Sequence, residues 1–258
     1  MTESVLLEIN DNGVATVTLN RAEKHNAFDD AIIEQLTATF RQVNDNPAAR
    51  VMVLAANGKS FCAGADLGWM KRMASYSYEE NLADANALAE MLRTLNFMQI
   101  PTIAKIQGAA FGGAVGLVAC CDIAVASEKA SFSLSEVKLG LIPATISPYV
   151  IEAMGPRHAR RYFQTAERFF ADKALQIGLV SEVTSPELLD ETTAKIINTL
   201  LNNGPKAVAA AKKLVFDVSY QTIDNELIGD TSERIANIRV SDEGQEGLTA
   251  FLEKRKPN

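Results

Sequence analysis

Val5-Leu6-Leu7-Glu8-Ile9 is a mainly apolar run, and from Val14 to Leu19 the residues Val14, Thr16 and Thr18 alternate with Ala15, Val17 and Leu19, with Asp11-Asn12-Gly13 between the two runs. Asn-Gly permits the positive φ of a tight turn, so the pattern predicts a β-hairpin. Ile32, Ile33, Leu36, Phe40 and Val43 then recur at helical spacing behind Asp29 and Asp30, either of which can cap the first turn. A short apolar run over 51–55 predicts a buried strand, followed by a loop over 57–66. Residues 67–98 read as mainly helical and Thr102–Ile106 as another buried strand. Gly112-Gly113 opens a helix reaching about Cys121, and 123–126 and 131–134 read as short strands.

Strands alternate with helices down to about residue 180, which predicts an α/β fold of parallel strands and crossover helices. From Pro186 onward the pattern changes: 188–201, Pro205–Val218, 223–240 and 246–255 all carry helical periodicity. The expected organisation is a core over 1–185 and a helical C-terminal region over 186–258. No repeat, low-complexity segment or flexible linker interrupts it.

Composition narrows the function classes. The chain has 258 residues, 47% of them apolar, enough for a sizeable core. No apolar run approaches the roughly 18 residues of a membrane span, and MTESVLLEIN has neither the basic nor the apolar part of a secretory signal. A net charge of −7 argues against nucleic-acid binding, which depends on neutralising phosphates. Cys62, Cys120 and Cys121, with His25 and His158, lack metal-ligand spacing. These features point to a reducing compartment and no structural metal: a cytoplasmic protein, or a mitochondrial-matrix one after removal of a transit peptide.

Three segments carry candidate chemistry. Ser60-Phe61-Cys62-Ala63-Gly64-Ala65-Asp66-Leu67 leaves a predicted strand and enters a predicted helix, where small residues let backbone approach a ligand. A tight turn with no ligand would use the same residues. Gln107-Gly108-Ala109-Ala110-Phe111-Gly112-Gly113-Ala114-Val115-Gly116 repeats the arrangement and would aim the Gly113 N–H at an anion or a polarised carbonyl. It lacks the spacings of a dinucleotide-binding or P-loop site, and close packing of a helix on a strand explains it equally. Glu136 stands alone between Leu134 and Val137. In an apolar pocket it would exchange protons near neutrality; as a surface residue it would pair with Lys138.

Together the segments resemble the enoyl-CoA hydratase/isomerase (crotonase) family. The matching pieces are Arg21-Ala22-Glu23-Lys24-His25-Asn26-Ala27, Ala63-Gly64-Ala65-Asp66-Leu67, 107–113, Cys121-Asp122-Ile123-Ala124, 135–143, 174–180 and 251–257, in order along the whole chain. The resemblance implies a spiral of ββα turns with a C-terminal helical trimerisation region, assembled as a trimer or a dimer of trimers. It implies an acyl-CoA substrate whose thioester oxygen sits between the backbone N–H groups of Ala65 and Gly113, with Glu136 as the catalytic acid–base. No separate cofactor is implied, since coenzyme A is part of the substrate. Lys24, the stretch Ala63, Gly64, Asp66 and Leu67, and Gly112 and Gly116 fall at CoA or substrate positions. Phe251 and Lys254 would reach CoA in the same or a neighbouring subunit.

One position departs from the family pattern. Its hydratases carry a second glutamate one turn into the helix that begins at Gly113, and here that residue is Gly116. An isomerase needs only one base, a hydratase would need another way to hold water, and an inactive member would need neither. Asp66, Tyr76, Tyr78 and Glu80 are candidate water holders. Residues 66–73, 77–81, 111–117 and 142–149 resemble a subgroup, the bacterial methylglutaconyl-CoA hydratases of leucine degradation, in which glycine also occurs at this position. That resemblance implies reversible hydration of 3-methylglutaconyl-CoA to 3-hydroxy-3-methylglutaryl-CoA. Beside it stands the expectation that Gly116 makes room for the branched, carboxylate-ended acyl chain. A substrate ending in a carboxylate would favour a cation such as Lys71, Arg72, Arg157 or His158. RNA binding and a purely structural role in a larger complex are the rival classes.

Overall fold

The computed structural model describes residues 3–257. Its strands are β1 (Val5–Ile9), β2 (Val14–Leu19), β3 (Val51–Ala56), β4 (Thr102–Ile106), β5 (Ala109–Phe111), β6 (Ile123–Ser127), β7 (Ser131–Ser133), β8 (Phe169–Phe170) and β9 (Glu182–Thr184). Its helices are α1 (Asp30–Asn44), α2 (Leu67–Met73), α3 (Tyr78–Asn96), α4 (Gly113–Cys120), α5 (Ser147–Thr165), α6 (Ala171–Gln176), α7 (Leu189–Leu201), α8 (Pro205–Val218), α9 (Asn225–Val240) and α10 (Asp242–Leu252).

The predicted hairpin forms, with Val5 opposite Leu19 and Ile9 opposite Ala15. It begins a six-stranded sheet in the order β1-β2-β3-β4-β6-β9, parallel from β2 onward. A second sheet, β5-β7-β8, branches off at the glycine-rich segment. The two sheets and their crossover helices form the α/β core of largely parallel strands that the sequence predicted.

Helix α1 shows why these elements form. Asp29 caps it by accepting from the Ile32 N–H, a contact worth about 1 kcal/mol. The five apolar residues spaced along it are all buried. They pack in the main core with Trp69 of α2, Leu92 and Leu95 of α3 and Val115 of α4. The opposite face of the large sheet, Val14, Val51, Val53, Ile103 and Val125, is covered by Leu189, Ile196, Ile197 and Leu200 of α7. Arg50 ties the end of that helix down, donating to the carbonyls of Leu201 and Asn203. In packing terms α7 therefore belongs with the sheet, although it lies on the helical side of the predicted boundary at 185.

The remaining C-terminal helices are differently placed. Neither α8 nor α9 buries a residue, and α10 buries only Ala250. Helix α5 was not anticipated from the sequence. It is broken at Gly155, whose φ of 76° interrupts the helix just before Pro156. Among the described residues no helix is long and apolar enough to cross a membrane, and no group of His, Cys, Asp or Glu is arranged to hold a metal ion.

Candidate active site

The two glycine-rich segments lie side by side. Cys62 donates its N–H to the Ala109 carbonyl at 3.0 Å, and Phe111 donates to the Cys62 carbonyl at 3.0 Å, forming a parallel bridge inside what the sequence suggested was loop. Past that bridge the two segments stay close, Gly64 lying against Phe111 and Gly112, the residues that flank Ala65 and Gly113 in sequence. Close approach is what requires glycine here: Gly64 has φ +92°, and a Cβ on it would lie 2.8 Å from the Phe111 carbonyl oxygen. Gly113 is the first residue of α4, so its N–H has no acceptor within the helix. Among the described residues, no acceptor takes the Ala65 or the Gly113 N–H. Two donors on adjacent backbones, one at a helix N-terminus, suit an oxygen that acquires negative charge.

The second sheet delivers the carboxylate. β5 runs parallel to β7 with Phe111 opposite Ser133, and Gly112 donates to the Ser133 carbonyl at 2.8 Å. The chain then turns into a short 3₁₀ helix, Glu136–Leu139. Gly112 has φ +54°, and a Cβ built on it would sit 3.4 Å from Glu136 Oε1, so the carboxylate borders the start of α4. Glu136 Oε2 is buried without a hydrogen-bond partner. Burial pushes the Glu136 carboxyl above its ordinary value, outweighing the opposing hydrogen bond from its own backbone N–H. A carboxyl with one oxygen buried, next to the residue that precedes the Gly113 N–H, is equipped to take and return a proton at a carbon next to a carbonyl.

The geometry at Gly116 differs from the expectation. This residue is buried, and a Cβ on it would lie 2.4 Å from Ile146 Cγ2, 2.8 Å from Ile146 Cβ and 3.3 Å from Leu92 Cδ2. The volume that a side chain at 116 would need is filled by Ile146, itself 1% exposed, and not held open for a branched acyl group. Gly116 thus packs α4 against the residues leading into α5, and the direction its side chain would take is already occupied.

The enoyl-CoA hydratase/isomerase family model matches residues 9–258. The chain belongs to the enoyl-CoA hydratase/isomerase family. It is 32% identical to a crotonyl-CoA hydratase of Syntrophomonas wolfei, covering 99% of this chain and 97% of that protein. It is 30% identical to a trans-2-decenoyl-[acyl-carrier-protein] isomerase of Streptococcus mutans, covering 96% and 94%. Among solved structures it superposes on an enoyl-CoA hydratase from Shewanella pealeana with a TM-score of 0.96 and 50% identity, covering 99% of this chain and 96% of that one.

Within this family member, the residues expected to meet CoA divide into groups. Leu67 stands 82% exposed beside Ala65, and Ala63 is half-buried. Asp66 is engaged elsewhere. It caps α2 by accepting from the Gly68 and Trp69 N–H groups, and it pairs with Lys24 at 3.1 Å and Arg21 at 3.3 Å. Burial opposes its charge, but Lys24 and the two N–H groups outweigh burial and hold the carboxyl below its ordinary value. Asp66 is thus a fastening for the Ala65 loop, not a free ligand, and Lys24 is bound to it in this chain. Phe251 and Lys254 stand exposed at the end of α10, which packs on α8 and α9.

The other candidates fall outside the cluster of Ala65, Gly112, Gly113 and Glu136. Glu80 closes a capping box with Ser77 at the start of α3, and Tyr78 is 75% exposed there. Arg72, in contact with Tyr76, pairs with Asp30 on the surface. Lys71 and Arg157 are exposed and His158 is half-buried.

Three residues central to the geometry have no role of their own in the sequence pattern. Phe28 brackets Ala65 through its backbone, and Ile146 fills the place beside Gly116. Buried Asn26 accepts from the Arg21 N–H and donates to the carbonyls of Asn57 and Ser60, binding the first motif to the loop. Asn26 was visible as part of a motif. Phe28 and Ile146 are ordinary apolar residues whose importance depends on what they touch.

Proposed function

We propose that this chain hydrates the 2,3-double bond of an enoyl-CoA thioester reversibly, with Glu136 as its one proton-transferring side chain. The observation that carries the reading is the buried, unpartnered Glu136 Oε2 next to Gly112, the residue before the unused Gly113 N–H. The thioester oxygen would accept from Ala65 and Gly113. Water then adds through oxygen to the β-carbon, giving its proton to the Glu136 carboxylate. The π electrons move toward the thioester as an enolate whose oxygen takes the charge. Glu136 returns the proton to the α-carbon, leaving the 3-hydroxyacyl thioester and the carboxylate as it began. Loss of one such backbone donor typically costs about 3 kcal/mol of transition-state stabilisation. With Ile146 filling the space at 116, a second carboxylate has no place on that turn of α4.

The acyl group we propose is 3-methylglutaconyl, giving 3-hydroxy-3-methylglutaryl-CoA. Its support is the sequence resemblance to methylglutaconyl-CoA hydratases over the segments around Asp66, Gly116 and Ile146. A second reading, double-bond isomerisation, is favoured by the single carboxylate, since one base suffices to move a proton between two carbons, and by the isomerase among the relatives. A panel of 3-methylglutaconyl-CoA, crotonyl-CoA and a 3-enoyl-CoA, followed by mass spectrometry, separates the two. Gain of one water on 3-methylglutaconyl-CoA with the highest kcat/KM supports hydration of that substrate. Conversion of the 3-enoyl thioester without change of mass, and no water gained on either 2-enoyl substrate, would establish the isomerase instead.

A further inference from the structure

Phe28 touches both halves of the proposed oxyanion site. Its backbone brackets Ala65: the Phe28 N–H donates to the Gly64 carbonyl at 2.9 Å and the Asp66 N–H donates to the Phe28 carbonyl at 2.9 Å. Its ring reaches the other donor. A Cβ built on Gly113 would lie 2.6 Å from Phe28 Cζ and 3.4 and 3.5 Å from Cε2 and Cε1. The side chain is 1% exposed and backed by Trp69, ring centroids 6.1 Å apart, so the ring has no open direction in which to retreat. One residue therefore holds the loop that presents the Ala65 N–H and abuts the helix start that presents the Gly113 N–H.

We propose that Phe28 is a positioning residue that sets the spacing of the two N–H donors, resting on the reading of Ala65 and Gly113 as the oxyanion pair. The effect belongs in kcat more than in KM, because charge on the thioester oxygen is largest in the transition state. A donor displaced by a fraction of an ångström loses most there, and misplacement of about 1 Å costs on the order of 10²-fold.

The test is a size exchange across the contact. Gly113→Ala places a methyl group against the ring and pushes ring and helix apart, while Phe28→Leu removes Cζ and restores the room. kcat, KM and Tm are measured for both single variants and the double variant of the full-length protein. The substrate is crotonyl-CoA or 3-methylglutaconyl-CoA, whichever the wild type hydrates faster. The expected result is a fall in kcat of about tenfold or more in Gly113→Ala with KM held within about threefold, and at least a threefold recovery in the double variant. A double variant no faster than Gly113→Ala, or a Gly113→Ala protein with wild-type kcat, overturns the proposal. Should Gly113→Ala fail to fold, Phe28→Ala against Phe28→Leu decides. Loss of kcat in the alanine variant alone, per folded molecule, supports positioning, and a lowered Tm with unchanged kcat reduces Phe28 to packing. Glu136→Gln run alongside separates the two layers of inference. If it stays active, the underlying reading of the site fails; if it is inactive while the size exchange shows no coupling, only the role of Phe28 does.

Discussion

Glu136 bears a cost that makes it useful. Its carboxyl is pushed upward by burial, so the folded protein holds that proton more tightly than the unfolded chain does. In the proposed hydration the active form is the carboxylate. The acid limb of kcat/KM should therefore lie above the ordinary glutamate value of 4.5, with activity lost as pH falls through it, and a pH–rate profile checks this. Stability moves the other way. The raised value favours folding below pH 4.5, and that contribution is lost as pH rises through the folded-state value, leaving a buried charge that destabilises the protein. Glu136→Gln should accordingly melt at a higher temperature than wild type at neutral pH, with the gain shrinking toward zero as pH falls below 4.5. A Tm difference independent of pH would show that the carboxyl titrates normally.

At the level of elements, α4 matters twice, through the N–H at its start and the packing of its first turns. A side chain at 116 meets Ile146 and Leu92 at once, so Gly116→Glu should overpack the core at a cost of about 1–3 kcal/mol, before the burial of a charge is counted. Turnover of 3-methylglutaconyl-CoA should fall more than about tenfold, roughly 1.4 kcal/mol or more. Adding Ile146→Ala should recover part of the lost Tm, since it removes the atoms in closest conflict. Thermal melts of the three proteins check this, and an additive double variant would contradict the geometry. The sequence made the hairpin, α1, the central strands and the Gly113 helix legible, because each is set by local periodicity and its caps. It left β5 and the Cys62–Ala110 bridge looking like loop, since small residues that permit close backbone approach carry no strand signal. The filling of position 116 by Ile146 was hidden because thirty residues separate them in sequence, and only the fold closes that distance.

On the scale of the whole molecule, the C-terminal helices carry one group of exposed apolar side chains, and a second stands at Leu139, Leu141 and Ile142. Val215, Tyr220, Ile223, Val240, Phe251 and Leu252 are each more than half exposed, on or beside helices that bury almost nothing of their own. Exposed apolar area of this kind is what an assembly covers. We propose a trimer or a dimer of trimers, in which Phe251 and Lys254 approach a neighbour's CoA. Light scattering at micromolar concentration should give one of those masses, and a monomer would contradict the assembly. Phe251→Ala should raise KM for acyl-CoA with little change in kcat, because that contact would bind ground state and transition state alike. That one carboxylate serves the whole reaction is tested most directly by kcat for hydration in Glu136→Gln, with acyl-CoA affinity measured on the same protein. The expected result is a loss of about 10²–10⁴-fold in kcat with binding largely preserved. A variant that keeps more than about a tenth of wild-type activity would contradict it.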